Sequence, residues 1–179
     1  MSRAFVGDEA NESAADEAPE IKIPIPPGSR NYLTPEGAAD LAEELTRLET
    51  VERPHVSAKI DRAVKGASDT DALSSLRRIL ARTDRRIEYL SRMAALADTI
   101  EPPEEGYKRV SFGATVTVRE ASGTERSYRI VGVDEADPAL GRLGWISPIA
   151  KALMSKEVGD HTQAHLPESV LDLEILSIE

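Results

Sequence analysis

Residues 70–97 read TDALSSLRRILARTDRRIEYLSRMAALA, and the apolar spacing of this stretch decides the fold. Apolar or small side chains recur at alternating intervals of three and four, which is the pattern of a helix that packs along one narrow seam. Because the pattern persists over more than three heptads, it predicts one long helix of a coiled coil. The seam consists of Leu73, Leu76, Leu80, Thr83, Ile87, Leu90, Ala94 and Ala97.

The preceding segment predicts the partner helix. Thr34 can cap it and Pro35 suits its first position, while Pro54 predicts a kink or a restart because proline lacks the N–H of the helix ladder. We expect Gly66 to end this helix in a left-handed conformation. Its apolar face is formed by Leu41, Leu45, Leu48, Val51, Val56, Ile60 and Val64.

Only a few residues separate the two predicted helices, so they should lie antiparallel as a hairpin. At 1.5 Å per residue, arms of about 28 residues give a rod of about 40 Å. A rod of this length is too long for a small globular body to cover, so its tip should project. A heptad seam alone also fits a plain spacer or a dimerisation hairpin.

A Pro-rich break at residues 101–106 predicts a domain boundary. The remainder reads as a compact β-rich domain, in which Ser122-Gly123 forms a hairpin turn and Ser147-Pro148 begins a short helix. The predicted fold class is α+β, with an arm at 1–30, a coiled-coil hairpin at 31–101 and a β-rich domain at 102–179. The predicted strands are Arg109–Phe112, Thr115–Glu120, Tyr128–Val133, His161–Leu166 and Val170–Ile178.

Charge is distributed unevenly along the chain. The formal net charge is −10, which argues against nucleic-acid binding through the whole surface. Residues 53–97 nevertheless carry 10 basic and 5 acidic side chains, so one basic segment lies inside an acidic protein. With no cysteine and no run of about 18 apolar residues, the sequence predicts a cytoplasmic protein that does not span a membrane.

The first 30 residues have the composition of a disordered arm. Six acidic residues fall between Asp8 and Glu20, and Pro24, Pro26 and Pro27 oppose regular structure. Such an arm is either a solvating tail or a contact for a basic partner surface.

Several motifs, in this order, resemble the GreA/GreB family over roughly residues 30–179. The hairpin carries Thr34-x-x-Gly37, Leu41-x-x-Glu44-Leu45-x-x-Leu48, Arg53-Pro54 and Asp84-Arg85-Arg86-Ile87-x-Tyr89-Leu90, the last resembling GreB in particular. The β-rich part carries Val110-x-Phe112-Gly113-Ala114-Thr115-Val116, Tyr128-Arg129-Ile130-Val131-Gly132, Asp134-Glu135-Ala136-Asp137, Ser147-Pro148-Ile149-Ala150-x-Ala152-Leu153 and Lys156-x-Val158-Gly159-Asp160.

The resemblance implies a bacterial transcription elongation factor whose hairpin enters the secondary channel of RNA polymerase. An FKBP-like C-terminal domain would dock on the channel rim, with Ser147, Pro148 and Ile149 touching the polymerase. The same motif also fits a plain helix start, with Ser147 as the cap, Pro148 at the first position and Ile149 buried. The factor would stimulate the intrinsic cleavage of backtracked RNA by the polymerase, so it would not itself be an enzyme. We expect a monomer whose partners are RNA polymerase and the nascent RNA 3′ end.

At the tip, the family places two acids that help hold a Mg²⁺ ion jointly with the polymerase, and the factor has no cofactor of its own. The usual tip motif of the family, Gly-Asp-x-x-Glu-Asn, is absent from this sequence. The candidate tip acids are Asp69 and Asp71, and Gly66 takes the position of the Asp in the family motif. Both acids also fit simple capping of the second helix through Ser68-x-x-Asp71. The resemblance therefore leaves a second interpretation, a channel-binding regulator or inhibitor without cleavage activity.

Basic residues near the tip are candidates for contact with RNA. In GreB-like proteins a basic stretch on the rod meets the displaced RNA, and arginine binds phosphate through paired hydrogen bonds. The same charges also fit the solvated exterior of a coiled coil. The candidate RNA contacts are Lys65, Arg77, Arg78 and Arg82, within a basic set that also includes Lys59, Arg62, Arg85 and Arg86.

Three hypotheses follow: a cleavage-stimulating factor, a non-cleaving channel regulator and a stand-alone coiled-coil interaction module. Binding to core RNA polymerase separates the first two from the third. Cleavage of a stalled elongation complex separates the first from the second.

Overall fold

The structure, a computed structural model, describes residues 21–66 and 70–179. Two helical arms form the predicted hairpin. The first arm is α1 (Pro35–Arg47), a single π turn (Leu48–Glu52) and α2 (Arg53–Lys65), and the second arm is α3 (Thr70–Ala95). Arg53 of α2 pairs with Asp84 of α3 at 2.7 Å, which joins the arms side by side.

The π turn accounts for the proline in the first arm. The N–H of Arg53 donates to the carbonyl of Leu48, five residues earlier, so the helix is locally widened. Pro54 therefore lies at the start of α2, where its missing N–H costs no helical hydrogen bond. The kink or restart predicted at Pro54 takes the form of one extra residue in the turn before it, while the backbone stays helical from α1 into α2.

At the tip, the prediction for Gly66 is wrong. Gly66 has φ −88° and ψ 8°, and its N–H donates to the carbonyl of Arg62 as in an ordinary helical turn. The end of α2 therefore needs no left-handed residue. Residues 67–69, which include the candidate Asp69, lie outside the described residues.

Two short parallel strands close the base of the hairpin. The chain enters α1 through β1 (Asn31–Leu33) and leaves α3 through β2 (Ala97–Thr99), and these strands pair with each other. The buried side chain of Asn31 donates to the carbonyl of Met93 at 3.1 Å, and the backbone N–H of Asn31 donates to Leu96 at 2.8 Å. Ala97 thus belongs to β2 and not to the helical seam that the heptad pattern predicted.

The C-terminal part is a five-stranded mixed sheet with one short helix. Its strands are β3 (Thr115–Glu120), β4 (Glu125–Val131), β5 (Arg142–Gly144), β6 (His161–His165) and β7 (Val170–Ile178), and its helix is α4 (Pro148–Leu153). The strand order is β5-β4-β3-β7-β6, antiparallel except for the parallel pair β4 and β5. The helix covers one face, and the core comprises Val110, Ala114, Val116, Val118, Ile130, Leu143, Ala150, Leu153, Ala164, Leu173 and Ile175.

Most of the predicted strands are present, and one is wrong. Residues 109–112 form bends and a turn rather than a strand. Val110 is nevertheless buried, and its N–H and carbonyl bond to the backbone of Lys156 and Ser155. This single residue produces the apolar signal that suggested a strand.

The predicted α+β class, a helical hairpin followed by a β-rich domain with one short helix, is confirmed. The domain boundaries at 30 and 101 stay a prediction. Residues 21–30 form turns, and Ile25 among them is buried, so this part of the predicted arm packs against the rest of the protein. None of the helices within the described ranges has the length and apolarity that crossing a membrane requires.

Polar and aromatic contacts join the hairpin to the β-rich domain. Tyr89 of α3 donates to Asp134 at 2.7 Å, and Arg129 of β4 pairs with Glu36 of α1 at 3.2 Å. The centre of the Tyr32 ring lies 5.4 Å from the centre of the Trp145 ring and 6.1 Å from the centre of the Phe112 ring. The rod is therefore anchored at its base on the domain.

The first prediction concerns Glu44, which lies opposite Arg86 across the hairpin. Arg86 donates two hydrogen bonds of 2.8 and 2.7 Å to this carboxylate, and they lower the pKa of Glu44. A carboxyl group with a lowered folded pKa stabilises the fold above its unfolded pKa and loses that contribution as the pH falls through the folded pKa. From about pH 5 to pH 3, the free energy of unfolding should therefore fall less in Glu44→Gln than in the wild type.

Because both partners are partly exposed, the difference should not exceed about 1 kcal/mol. Urea unfolding followed by circular dichroism at several pH values measures it. Glu43→Gln, at an exposed neighbouring position, is the control. Parallel acid curves for the wild type and Glu44→Gln would contradict the assignment.

Candidate functional site

The described part of the tip contains one of the two candidate acids. Asp71 lies exposed in the first turn of α3, where a negative charge is favourable at the helix N-terminus. Its backbone carbonyl accepts from the hydroxyl of Ser75 at 2.9 Å. Within residues 21–66 and 70–179, no three His, Asp or Glu side chains come together as metal ligands. Mg²⁺ prefers six ligands in a near-octahedral arrangement, so one described carboxylate would hold the ion only with ligands from elsewhere.

The candidate RNA contacts lie exposed on the half of the rod toward the tip. Lys65 ends α2, and Arg77, Arg78 and Arg82 follow on α3. None of these four side chains has an acidic partner within the described residues. They therefore present positive charge to solvent, which is the property that phosphate binding requires.

Nearer the base, the basic residues are neutralised. Arg86 pairs with Glu44, and its guanidinium lies 5.4 Å from the centre of the Tyr89 ring. The hydrogen bond to Glu44 raises the pKa of Arg86. Burial, with the hydrogen bond to Asp134, raises the pKa of Tyr89 above its usual value. Arg86, which the sequence grouped with the tip charges, therefore belongs to the base of the rod.

The three candidate docking residues play different local roles. Ser147 caps α4, and its hydroxyl accepts from the N–H of Ala150 at 3.2 Å. Ile149 is half-buried and packs against the core of the domain, whereas Pro148 is exposed. Of the three, Pro148 is thus the side chain most available to a partner.

A further group of residues was not predicted from sequence. Glu135 accepts hydrogen bonds from Thr34, at the base of the rod, and from Gly132 of its own domain. The two motifs that contain these residues were visible in the sequence. Because Thr34 and Glu135 are 101 positions apart, however, nothing in the local pattern indicated that they meet.

Both halves of the chain match known families. The family model described as Transcription elongation factor, N-terminal, matches residues 31–98. The family model described as Transcription elongation factor, GreA/GreB, C-term, matches residues 104–179. The chain belongs to the GreA/GreB family of transcription elongation factors. The two matched ranges correspond to the hairpin with its base strands and to the β-rich domain.

Curated relatives of this family align with most of the chain. Transcription elongation factor GreB of Neisseria meningitidis is 36% identical over 155 residues, which cover 84% of this chain and 94% of that protein. Transcription elongation factor GreA of Nautilia profundicola is 36% identical over 146 residues, covering 80% of this chain and 90% of that protein. Among solved structures, GreA factor homolog 1 of Thermus thermophilus is 22% identical and covers 84% of this chain and 99% of that chain, with a TM-score of 0.39. A similarity at that level carries no functional argument.

The second prediction separates capping from docking at the start of α4. Ser147→Ala removes the cap and should lower the free energy of unfolding by about 1 kcal/mol. Pro148→Ala changes an exposed side chain and should alter the free energy of unfolding by less than about 0.5 kcal/mol. Urea unfolding of the two variants measures both values. Equal destabilisation would mean that Pro148 has a structural role.

Proposed function

We propose that this GreA/GreB family member binds RNA polymerase at its secondary channel and stimulates the intrinsic cleavage of backtracked RNA. The observation that carries the proposal is a helical hairpin with exposed positive charge toward its tip, where Lys65, Arg77, Arg78 and Arg82 have no acidic partner among residues 21–66 and 70–179, in a chain whose two parts both match the family. The curated relatives are named transcription elongation factors, GreA or GreB. This chain would have the same role.

The tip half of the rod would face the displaced RNA 3′ end. Lys65, Arg77, Arg78 and Arg82 lie exposed there without acidic partners among the described residues, so phosphate would not have to displace an existing ion pair. The guanidinium group can donate two parallel hydrogen bonds to one phosphate. The protein's overall negative charge would disfavour binding to free nucleic acid and restrict contact to this face.

The tip acids would act together with the polymerase. Asp71 at the start of α3, and Asp69 beyond the described residues, would contribute carboxylate ligands to a Mg²⁺ ion otherwise held by the polymerase. Such an ion stabilises the charge that develops in phosphodiester cleavage. The polymerase would supply the catalytic centre, so the protein would not itself be an enzyme and would need no cofactor of its own.

The β-rich domain would supply affinity on the channel rim. Pro148 lies exposed at the start of α4, between Ser147, which holds the cap, and Ile149, which packs toward the core. This arrangement would present one apolar contact on a rigid helix start. We place the protein in the cytoplasm, where RNA polymerase acts, and expect it to bind as a monomer because one hairpin enters one channel.

The third prediction tests the proposed function at the tip. In a purified elongation complex stalled in a backtracked state, the wild-type protein should increase the rate of transcript cleavage. Asp69→Asn with Asp71→Asn should abolish most of this stimulation, because the amide removes the negative charge that Mg²⁺ requires. Polymerase affinity and melting temperature should stay nearly unchanged.

Asp61→Asn is the matched control, since Asp61 is an exposed acid on α2 close to the tip. Persistent stimulation by the double variant would show that the two carboxylates only cap the helix. A wild-type protein that binds the polymerase without stimulating cleavage would overturn the cleavage proposal in favour of a non-cleaving regulator.

The fourth prediction tests the basic half of the rod. Replacing Arg77, Arg78 and Arg82 by Gln should reduce cleavage of complexes with long backtracked RNA more than of complexes with short RNA. The salt dependence of the reaction should also become weaker, because fewer phosphate contacts release fewer counterions. Cleavage rates at several salt concentrations measure both effects.

A variant with Lys22, Arg30 and Lys108 changed to Gln is the control, because it removes the same charge away from the tip. Equal losses on long and short RNA would contradict a contact between the rod and the displaced RNA.

A further inference from the structure

One carboxylate connects the rod to the β-rich domain. Glu135 accepts from the backbone N–H of Thr34 at 3.0 Å and from the hydroxyl of Thr34 at 2.5 Å. The same carboxylate accepts from the N–H of Gly132 at 3.1 Å, within its own domain. Thr34 is buried and caps α1, so this bond reaches the first turn of the rod directly.

Two glycines leave the space that this carboxylate occupies. A Cβ atom on Gly37, in the first turn of α1, would lie 2.1 Å from the carboxyl carbon of Glu135. A Cβ atom on Gly132 would lie 2.6 Å from an oxygen of Glu135 and 2.7 Å from the carbonyl of Tyr32. Glycine is otherwise unfavourable inside a helix, so its presence at position 37 has a steric reason in the contact with Glu135.

Apolar contacts, such as those of Tyr32 with Trp145 and Phe112, hold the base of the rod on the domain, yet they leave space beside Glu135. A cavity of about 410 Å³ lies between α1, α3 and the β-rich domain, and Glu135 is among its lining residues. Apolar side chains such as Leu33 and Leu90 line this cavity together with charged ones, and Asp134, another lining residue, accepts the hydrogen bond from Tyr89. Because the two parts are not packed against each other throughout, loss of the Glu135 contact at the first turn of α1 would allow the rod to pivot at its base.

We propose that Glu135 is a positioning residue that, together with Thr34 and Gly37, fixes the direction of the rod relative to the β-rich domain. The consequence for cleavage rests on the function proposed above. The rod extends about 30 Å from Leu90 to Thr70, so a rotation of about 5° at the base moves the tip by roughly 3 Å. A misplacement of about 1 Å can reduce a reaction rate about a hundredfold, so a small loss of angle would matter.

The experiment measures the angle directly. The chain has no cysteine, so nitroxide labels can be attached at Ala81→Cys on α3 and at Ala121→Cys in the turn after β3, both exposed positions. Double electron–electron resonance then reports the distance between rod and domain. We expect one narrow distribution in the otherwise wild-type protein, and a broadened or displaced one after Glu135→Ala.

Two further variants separate positioning from stability. Glu135→Gln keeps one oxygen that can accept from the N–H groups of Thr34 and Gly132 and loses only the bond from the Thr34 hydroxyl, so it should retain most of the wild-type distribution. Gly37→Ala should strengthen α1 as a helix, yet displace the rod, because its Cβ collides with the carboxylate. If the contact between Glu135 and Gly37 only stabilised the fold, Gly37→Ala would leave the distance between rod and domain unchanged, because alanine favours the helix.

The two changes should also be coupled. Once Glu135→Ala has removed the carboxylate, Gly37→Ala has nothing to collide with and should add little to the change in distance. Glu168→Ala, at an exposed acid in the turn before β7, is the control and should leave the distribution unaltered. An unchanged distribution in Glu135→Ala, or a full additional effect of Gly37→Ala in the double variant, would overturn the proposal.

Cleavage assays with the unlabelled variants complete the test. Glu135→Ala and Gly37→Ala should each lower the stimulated cleavage rate about tenfold or more while polymerase affinity changes little. Glu135→Gln should retain most of the rate. If the variants displaced the rod but cleaved at the wild-type rate, the proposed effect of the rod direction on cleavage would be wrong. If the wild-type protein did not stimulate cleavage, the proposed function would be wrong, and the distance measurements alone would test whether Glu135 fixes the direction of the rod.

Discussion

A two-helix rod has little interior, and this constraint governs the rest of the structure. Along α3, the seam residues Leu73, Leu76 and Leu80 toward the tip are only half-buried. Near the base, Leu90 and Met93 are 2% and 0% exposed. Apolar burial supplies most of the stability of a fold, so the rod is most firmly held where it meets the β-rich domain. The direction of its free end is consequently decided at the base.

Charge follows the same division. Toward the base, basic side chains have acidic partners across the hairpin, as in the pairs Arg53–Asp84 and Arg86–Glu44. Toward the tip, Arg77, Arg78 and Arg82 have none within the described ranges. Paired charges help hold the arms together, while unpaired charges stay available for a phosphate. A single basic segment is thus paired with acids at one end and exposed, among the described residues, at the other.

Local sequence signals predicted the elements that local forces form. The heptad seam up to Ala94, the cap at Thr34, the helical irregularity at Pro54 and the cap at Ser147 were predicted correctly. The three-residue strands β1, β2 and β5 were missed because so few residues show no periodicity. The false strand at 109–112 arose from one buried residue, Val110, whose burial comes from tertiary contacts.

The sequence by itself determined the helical hairpin, the β-rich domain after it and the basic segment, since spacing and charge are local properties. It also supplied the candidate tip acids, of which Asp71 lies in the first turn of α3 and Asp69 is outside the described residues. Only the tertiary structure decided which charges are paired, and which side chains, Glu135 among them, join the two parts. The physical reason is distance along the chain: the partners Thr34 and Glu135 are 101 residues apart, and no periodicity reports a contact that folding alone creates.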